Sequence, residues 1–222
     1  MTIKALMIDF DDTLSNRKQS AYNFYRKLIS DIKPDLKDYE LEGILQDCMN
    51  WDLNGHYNKN FVKENLERKY NISLNCDDFN ECFGKYFGPY TLLYDGVLET
   101  LIQLRKQGYI LICLTNGKYS TQNSKLETTK IKPYFDYVVI SGEVGIYKPD
   151  PRIYEYTCKL ANVNPSETLF IGDTFSTDIV GAYRANIKAV WVCSDNTKAC
   201  ALDVLRIPSF NDLPKLLRTL TI

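Results

Sequence analysis

Five short apolar runs recur along the chain: Ile3 to Phe10 (IKALMIDF), Tyr109 to Asn116 (YILICLTN), Tyr137 to Ser141 (YVVIS), Thr168 to Asp173 (TLFIGD) and Ala189 to Cys193 (AVWVC). Each is almost continuously apolar and rich in β-branched residues. That is the pattern of strands buried on both faces, not of strands with one wet face. Between the later runs lie segments with helical spacing, LETLIQLRKQG, PRIYEYTCKLANV and STDIVGAYRAN. Strand, helix and strand in alternation make β-α-β units, so the pattern predicts an α/β fold with a doubly wound parallel sheet.

The first interval breaks the rhythm. About 95 residues separate the first run from the second, where a β-α-β unit needs only about 30. Within KQSAYNFYRKLISDI, Ala21, Tyr25, Leu28 and Ile32 share one helical face, widened by Tyr22, Phe24 and Ile29, and Pro34 ends the segment. YELEGILQDCMNW, NFVKENLERKY and DFNECFGKYF predict three further helices before GPYTLLYDG leads back. Residues 15–92 are therefore expected to form a small all-helical cap, inserted into a core made of residues 1–14 and 93–222.

Composition narrows the chemistry. In 222 residues, 27 Lys and Arg balance 28 Asp and Glu, which leaves no basic surface for nucleic acid and makes small molecules the expected partners. No apolar run reaches the length of about 18 residues needed to span a membrane, and the start of the chain lacks a signal-peptide layout. A cytoplasmic location is the expectation. The seven cysteines are scattered without a C-x-x-C pair, as suits reduced thiols. With His56 the single histidine, Ser-His-Asp catalysis and multi-histidine metal sites are disfavoured. Carboxylates and lysines must carry any chemistry.

They gather at the ends of the runs. Asp9 and Asp11 leave the first run two residues apart, so their side chains point the same way. A metal ion, a phosphate-handling site or an exposed Asp-rich turn each accounts for that spacing. After the second run come Thr115 and Asn116, a hydroxyl and helix-start amides suited to phosphate, or else an ordinary helix cap. In GIYKPDP, Lys148 precedes Pro149, and Asp150 is placed to cap a helix beginning at Pro151. After the fourth run, GDTFSTD adds Asp173 and Asp178, the latter also readable as a helix N-cap. Ligands in open parallel sheets lie beyond the carboxyl ends of the strands, where all these residues fall. So many hard oxygen donors suit Mg²⁺, with Lys148 as a further counter-charge.

DFDDTL, LTNG, GIYKPDP and GDTFSTDI, in that order and with a helical insertion after the first, resemble the four motifs of the haloacid dehalogenase-like hydrolase superfamily. The resemblance spans the core from end to end. It implies a Rossmann-like core, a mobile helical cap, Mg²⁺ and a phosphoaspartate intermediate. By position it makes Asp9 the nucleophile and a metal ligand, and Asp11 the general acid/base, which also binds metal through its backbone carbonyl. Thr115, Asn116 and Lys148 become phosphate ligands, Asp173 a metal ligand, and Asp178 a direct or water-mediated one. Asp12 stands where many members have glycine.

The stretches around Lys148 and Asp173 look most like the pyrimidine 5'-nucleotidase and house-cleaning nucleotidase branch. Hydrolysis of 5'-nucleoside monophosphates is thus the expected activity; a sugar phosphate or phosphoglycolate phosphatase and a phosphomutase are the alternatives, and a non-catalytic phosphate-binding module is the non-enzyme alternative. Tyr22, Tyr25, Trp51 and Tyr57 are candidates for stacking on a base, with His56 and Lys59 nearby, although packing within the insertion explains such residues equally well.

Overall fold

The computed structural model describes residues 2–55, 57–195, 200 and 202–220; His56 lies outside them. The elements in chain order are β1 (Ala5–Ile8), α1 (Arg17–Ile32), α2 (Asp38–Asp52), α3 (Lys59–Tyr70), α4 (Phe79–Tyr86), α5 (Val97–Lys106), β2 (Ile110–Thr115) and α6 (Tyr119–Thr128). There follow β3 (Tyr137–Ile140), α7 (Ser141–Val144), α8 (Pro151–Leu160), β4 (Thr168–Gly172), α9 (Val180–Arg184), β5 (Lys188–Val192), β6 (Leu205–Ile207) and α10 (Leu213–Leu220).

The strands form one six-stranded sheet in the order β3-β2-β1-β4-β5-β6, with every pairing parallel. β1 is central and sits between β2 and β4. Its side chains alternate between two cores: Leu6 and Ile8 join one apolar cluster with Val97, Leu101 and Leu126, while Ala5 and Met7 join another with Ile153, Phe170 and Ala182. Burial on both faces is what makes such strands read as unbroken apolar runs. β6, absent from the sequence expectation, is a partly exposed edge strand of three residues.

From Arg17 to Tyr90 every regular element among the described residues is helical. α1 to α4 close around a third apolar cluster of their own, which includes Ala21, Phe24, Tyr25, Leu45, Leu66 and Phe83. Phe24 is its hub, with ring centroids of Phe83 at 4.8 Å and Tyr25 at 5.5 Å. The chain enters this layer through a tight turn after β1, where the N–H groups of Leu14 and Ser15 both donate to the Phe10 carbonyl. Asp12, in that turn, has φ +56°. A left-handed residue there explains why glycine suits this position, and aspartate is one of the few other residues that adopts the conformation readily.

Candidate active site

The C-terminal ends of β1, β2 and β4, with the segment after β3, converge on a cleft of about 250 Å³ lined by Asp9, Asp11, Asp12, Arg17, Asn54, Gly55, Thr115, Asn116, Lys148, Asp173, Thr174, Thr177 and Asp178. Asp9 follows β1 directly, and its N–H donates to Ile171 of β4. Its carboxylate is therefore fixed at the centre of the sheet. Lys148 Nζ lies 2.5 Å from Asp9 Oδ1 and 2.8 Å from Asp178 Oδ1, so one buried ammonium bridges two buried carboxylates. Asn116 holds that lysine in place: its side-chain amide donates to the Lys148 carbonyl at 3.0 Å and accepts from the Lys148 N–H at 2.9 Å.

Asp178 is not a helix cap. It sits in a π-helical turn, Phe175–Ile179, that precedes α9, and its Oδ2 accepts from the Thr174 N–H at 3.0 Å. The turn swings the carboxylate back over the end of β4, where a Cβ on Gly172 would lie 2.5 Å from Asp178 Oδ2. Only glycine leaves that space. Thr115 is likewise no cap, since α6 begins at Tyr119 and the Thr115 hydroxyl accepts from Gln122 Nε2 at 2.6 Å. Asp150 does cap α8, accepting from the Arg152 N–H at 3.0 Å, with Pro151 opening the helix.

Asp9, Asp173 and Asp178 each present a carboxylate oxygen, all within 4.8 Å of one another. Such crowding is costly without added positive charge. Burial pushes the Asp9 carboxyl well above its usual range; Lys148 opposes the shift, and Asp178 and Asp173 add to it. Asp173 is pushed up to about 7, by burial first and then by Asp178 and Asp12. Lys148 shifts upward despite its burial, because Asp178 and Asp9 hold its charge. Thr13 Oγ1 reaches Asp9 and Asp173 at 3.4 Å each, and the Trp191 indole N–H donates to the Asp173 carbonyl at 2.7 Å. Three hard oxygen donors around one point, two of them with raised proton affinity, match the needs of a small divalent cation.

Asp11 faces a different set of partners. Lys125 Nζ contacts both its oxygens, at 2.7 and 3.0 Å, while Gln122 Nε2 donates at 3.1 Å and the Ser15 hydroxyl at 3.2 Å. Burial works against its charge, yet Lys125 and Arg17 outweigh burial and hold the carboxyl below its usual range.

The sequence profile of the haloacid dehalogenase-like hydrolases matches residues 6–192. The chain belongs to that family. Among curated relatives, the N-acylneuraminate-9-phosphatase of Homo sapiens is 37% identical over 132 residues, which make up 58% of this chain and 53% of that protein. The chain thus spans about half the length of that relative. The glyceraldehyde 3-phosphate phosphatase of Methanopyrus kandleri is 30% identical over 199 residues, 85% of this chain and 83% of that protein. A HAD-hydrolase of Bacillus subtilis has the same fold, with a TM-score of 0.76 at 21% identity over 98% of this chain and 99% of that one. The family match makes the chain a haloacid dehalogenase-like hydrolase; both curated relatives are phosphatases, and the structural likeness is one of fold.

In this hydrolase all seven residues singled out from the sequence, Asp9, Asp11, Thr115, Asn116, Lys148, Asp173 and Asp178, line one cleft. The aromatic residues offered for base stacking do not. Tyr25 is fully buried and donates to Asp52, Tyr22 donates to Glu42, Trp51 packs against Tyr70, and Tyr57 stacks on Phe61. Lys59 is buried on Asp52, 2.5 Å away. Sequence reasoning missed Gln122, Lys125 and Arg17. The first two stand at i and i+3 on α6, a polar pair on its buried side, and that spacing was the one available signal.

Proposed function

We propose that the chain is a Mg²⁺-dependent phosphomonoesterase that works through a phosphoaspartate on Asp9. The observation that carries this reading is the bridge from Lys148 to Asp9 and Asp178 beside Asp173, which sets a nucleophile, a phosphate counter-charge and a metal-binding carboxylate set within one cleft. Asp9, Asp173 and Asp178 would hold the ion, with the Asp11 main-chain carbonyl as a further donor. When bound, Mg²⁺ supplies charge stabilisation to the phosphoryl oxygens and keeps Asp9 ionised.

The rest follows from the side chains. An Asp9 oxygen attacks phosphorus in line, the ester P–O bond breaks, and the departing alkoxide takes a proton from Asp11. Asp11 rests as a carboxylate; the like charge of the incoming phosphate raises its proton affinity, so that it takes up from solvent the proton it then gives to the alkoxide. Asp11 then accepts a proton from the water that attacks the aspartyl phosphate, which releases phosphate and restores Asp9. Lys148 and the Thr115 hydroxyl bind the phosphoryl oxygens. Asn116 keeps Lys148 in position and adds its own main chain to the phosphate pocket.

Residues 15–92 serve as the cap, contributing Arg17, Asn54 and Gly55 to the cleft. Because no cap aromatic among the described residues lines it, stacking gives no support to a nucleotide. The polar lining favours a small hydrophilic ester of the sugar phosphate or phospho-acid kind over 5'-nucleoside monophosphates. Seven free thiols suit the reducing cytoplasm. A phosphate-release screen over nucleoside monophosphates, sugar phosphates and phospho-acids, with Mg²⁺ and with chelator, tests the reading. Hydrolysis of none of these, or full activity in excess chelator, contradicts it.

A further inference from the structure

One buried polar side chain beside the cleft takes no part in the proposed chemistry. Gln122 stands in the first turn of α6, which its own N–H closes by donating to the Lys118 carbonyl at 3.0 Å. Its side-chain nitrogen lies 2.6 Å from Thr115 Oγ1 and 3.1 Å from Asp11 Oδ2. An amide nitrogen carries two hydrogens, so each acceptor takes one. The surroundings hold the amide in that place. Thr121, the residue before it, donates from its hydroxyl to the Gly84 carbonyl of α4 at 3.1 Å and so ties α6 to the cap. Gly117, the glycine of LTNG, makes room for the side chain: a Cβ there would lie 2.9 Å from Gln122 Cγ, and its φ of +141° favours glycine in any case.

The carboxylate decides which way round the amide sits. An ionised Asp11 can only accept, so it turns away the carbonyl end of Gln122 and takes the NH₂ end. Thr115 must then accept from the same nitrogen. Its own proton is left over, and among the described residues the hydroxyl donates to no other group. Thr115 stands at the end of β2 and lines the cleft, so that proton is free for a phosphoryl oxygen. A hydroxyl bonded the other way, donating to an amide oxygen, would present the phosphate with a lone pair.

We propose that Gln122 is a positioning residue that makes the Thr115 hydroxyl a donor to the phosphoryl group and, with the second hydrogen of the same amide, fixes Asp11 beside it. This deepens the phosphatase reading above and rests on it. The two arms act at different steps. The Thr115 arm serves phosphate binding, because a hydroxyl already turned outward needs no reorganisation when the ligand arrives. The Asp11 arm serves breakdown of the phosphoenzyme, because a base must be held within hydrogen-bond reach of the attacking water.

A double-mutant cycle separates the arms, with p-nitrophenyl phosphate as the ester, inorganic phosphate as competitive inhibitor, and Mg²⁺ present. Gln122→Met keeps the length of the side chain and removes both donors. It should raise the inhibition constant of phosphate about three- to tenfold and slow breakdown, read by rapid quench, by about the same factor, each being the worth of one lost hydrogen bond. In a Thr115→Val background the same substitution should change the phosphate constant by less than about twofold while still slowing breakdown. Circular dichroism and thermal melting show whether each variant is folded, and Gln122→Leu serves in the same cycle if Gln122→Met is not. A side chain that only packs would weaken phosphate binding equally with and without the Thr115 hydroxyl, and that result overturns the inference while the phosphatase reading stands. So does a phosphate constant or a breakdown rate that Gln122→Met leaves unchanged. No hydrolysis of p-nitrophenyl phosphate by the wild type overturns the phosphatase reading and this inference with it.

Discussion

Both carboxylate oxygens of Asp11 are held by one ammonium, that of Lys125, at 3.0 and 2.7 Å. The contact joins the end of β1 to α6 and opposes the burial that would otherwise protonate the acid. In Lys125→Met burial is no longer opposed by that charge, Asp11 takes up a proton more readily, and a carboxylate able to activate water becomes scarcer. Breakdown of the phosphoenzyme should slow by roughly 10- to 100-fold, with Lys125→Arg less affected. Rapid-quench single-turnover kinetics separate the two steps. An unchanged breakdown rate would give Lys125 a purely structural role.

Asp52 ties α1, α2 and α3 together through Arg17 and Lys59. Burial raises its proton affinity, but the two cations outweigh burial and hold its carboxyl below the usual range. A depressed carboxyl contributes stability that is complete above its unfolded pKa of about 3.9 and is lost as pH falls through the lower folded value. Urea unfolding at a series of pH values should show the wild type losing stability below about pH 4. Asp52→Asn should lack that part of the slope and be about 3–5 kcal/mol less stable at neutral pH, since two buried cations lose their partner. Matching slopes for the two proteins would show that this cluster does not govern the acid limit.

Legibility in the sequence followed physical character. β1 to β5 could be read because strands buried on both faces leave unbroken apolar runs, whereas β6 is short and half wet and leaves no such mark. Asp9, Lys148 and Asp173 could be placed because strand ends in a parallel sheet share one edge. Asp178 was ambiguous, since its return to Lys148 depends on a π-helical turn that spacing does not encode. Tyr25 and Trp51 misled because aromatic residues at helical intervals look the same whether they face a core or a ligand. Arg17, Asp52 and Lys59 meet only through the packing of three helices.

Asp173 and Asp178 oppose the ionisation of Asp9, and Asp178 that of Asp173. Saturating Mg²⁺ should therefore raise the melting temperature, and chelator should reverse the rise. At a free concentration of about 100 Kd the linkage is worth about 2.7 kcal/mol. Asp173→Asn should show a much smaller shift at the same concentration. Differential scanning calorimetry with and without Mg²⁺ provides the comparison, and equal shifts in both proteins would remove Asp173 from the metal site.

Asp9 should become phosphorylated during turnover. Asp11→Asn should trap the intermediate, because it removes the base for hydrolysis while leaving attack on an ester with a good leaving group possible. The most direct measurement is peptide mass spectrometry of acid-quenched Asp11→Asn after mixing with p-nitrophenyl phosphate and Mg²⁺. One added phosphoryl group is expected on the peptide that carries Asp9, and none when Asp9→Asn is introduced as well. Phosphate release with no modified peptide, together with Asp9→Asn retaining activity within about tenfold of wild type, where loss of a nucleophile should cost far more, would contradict it.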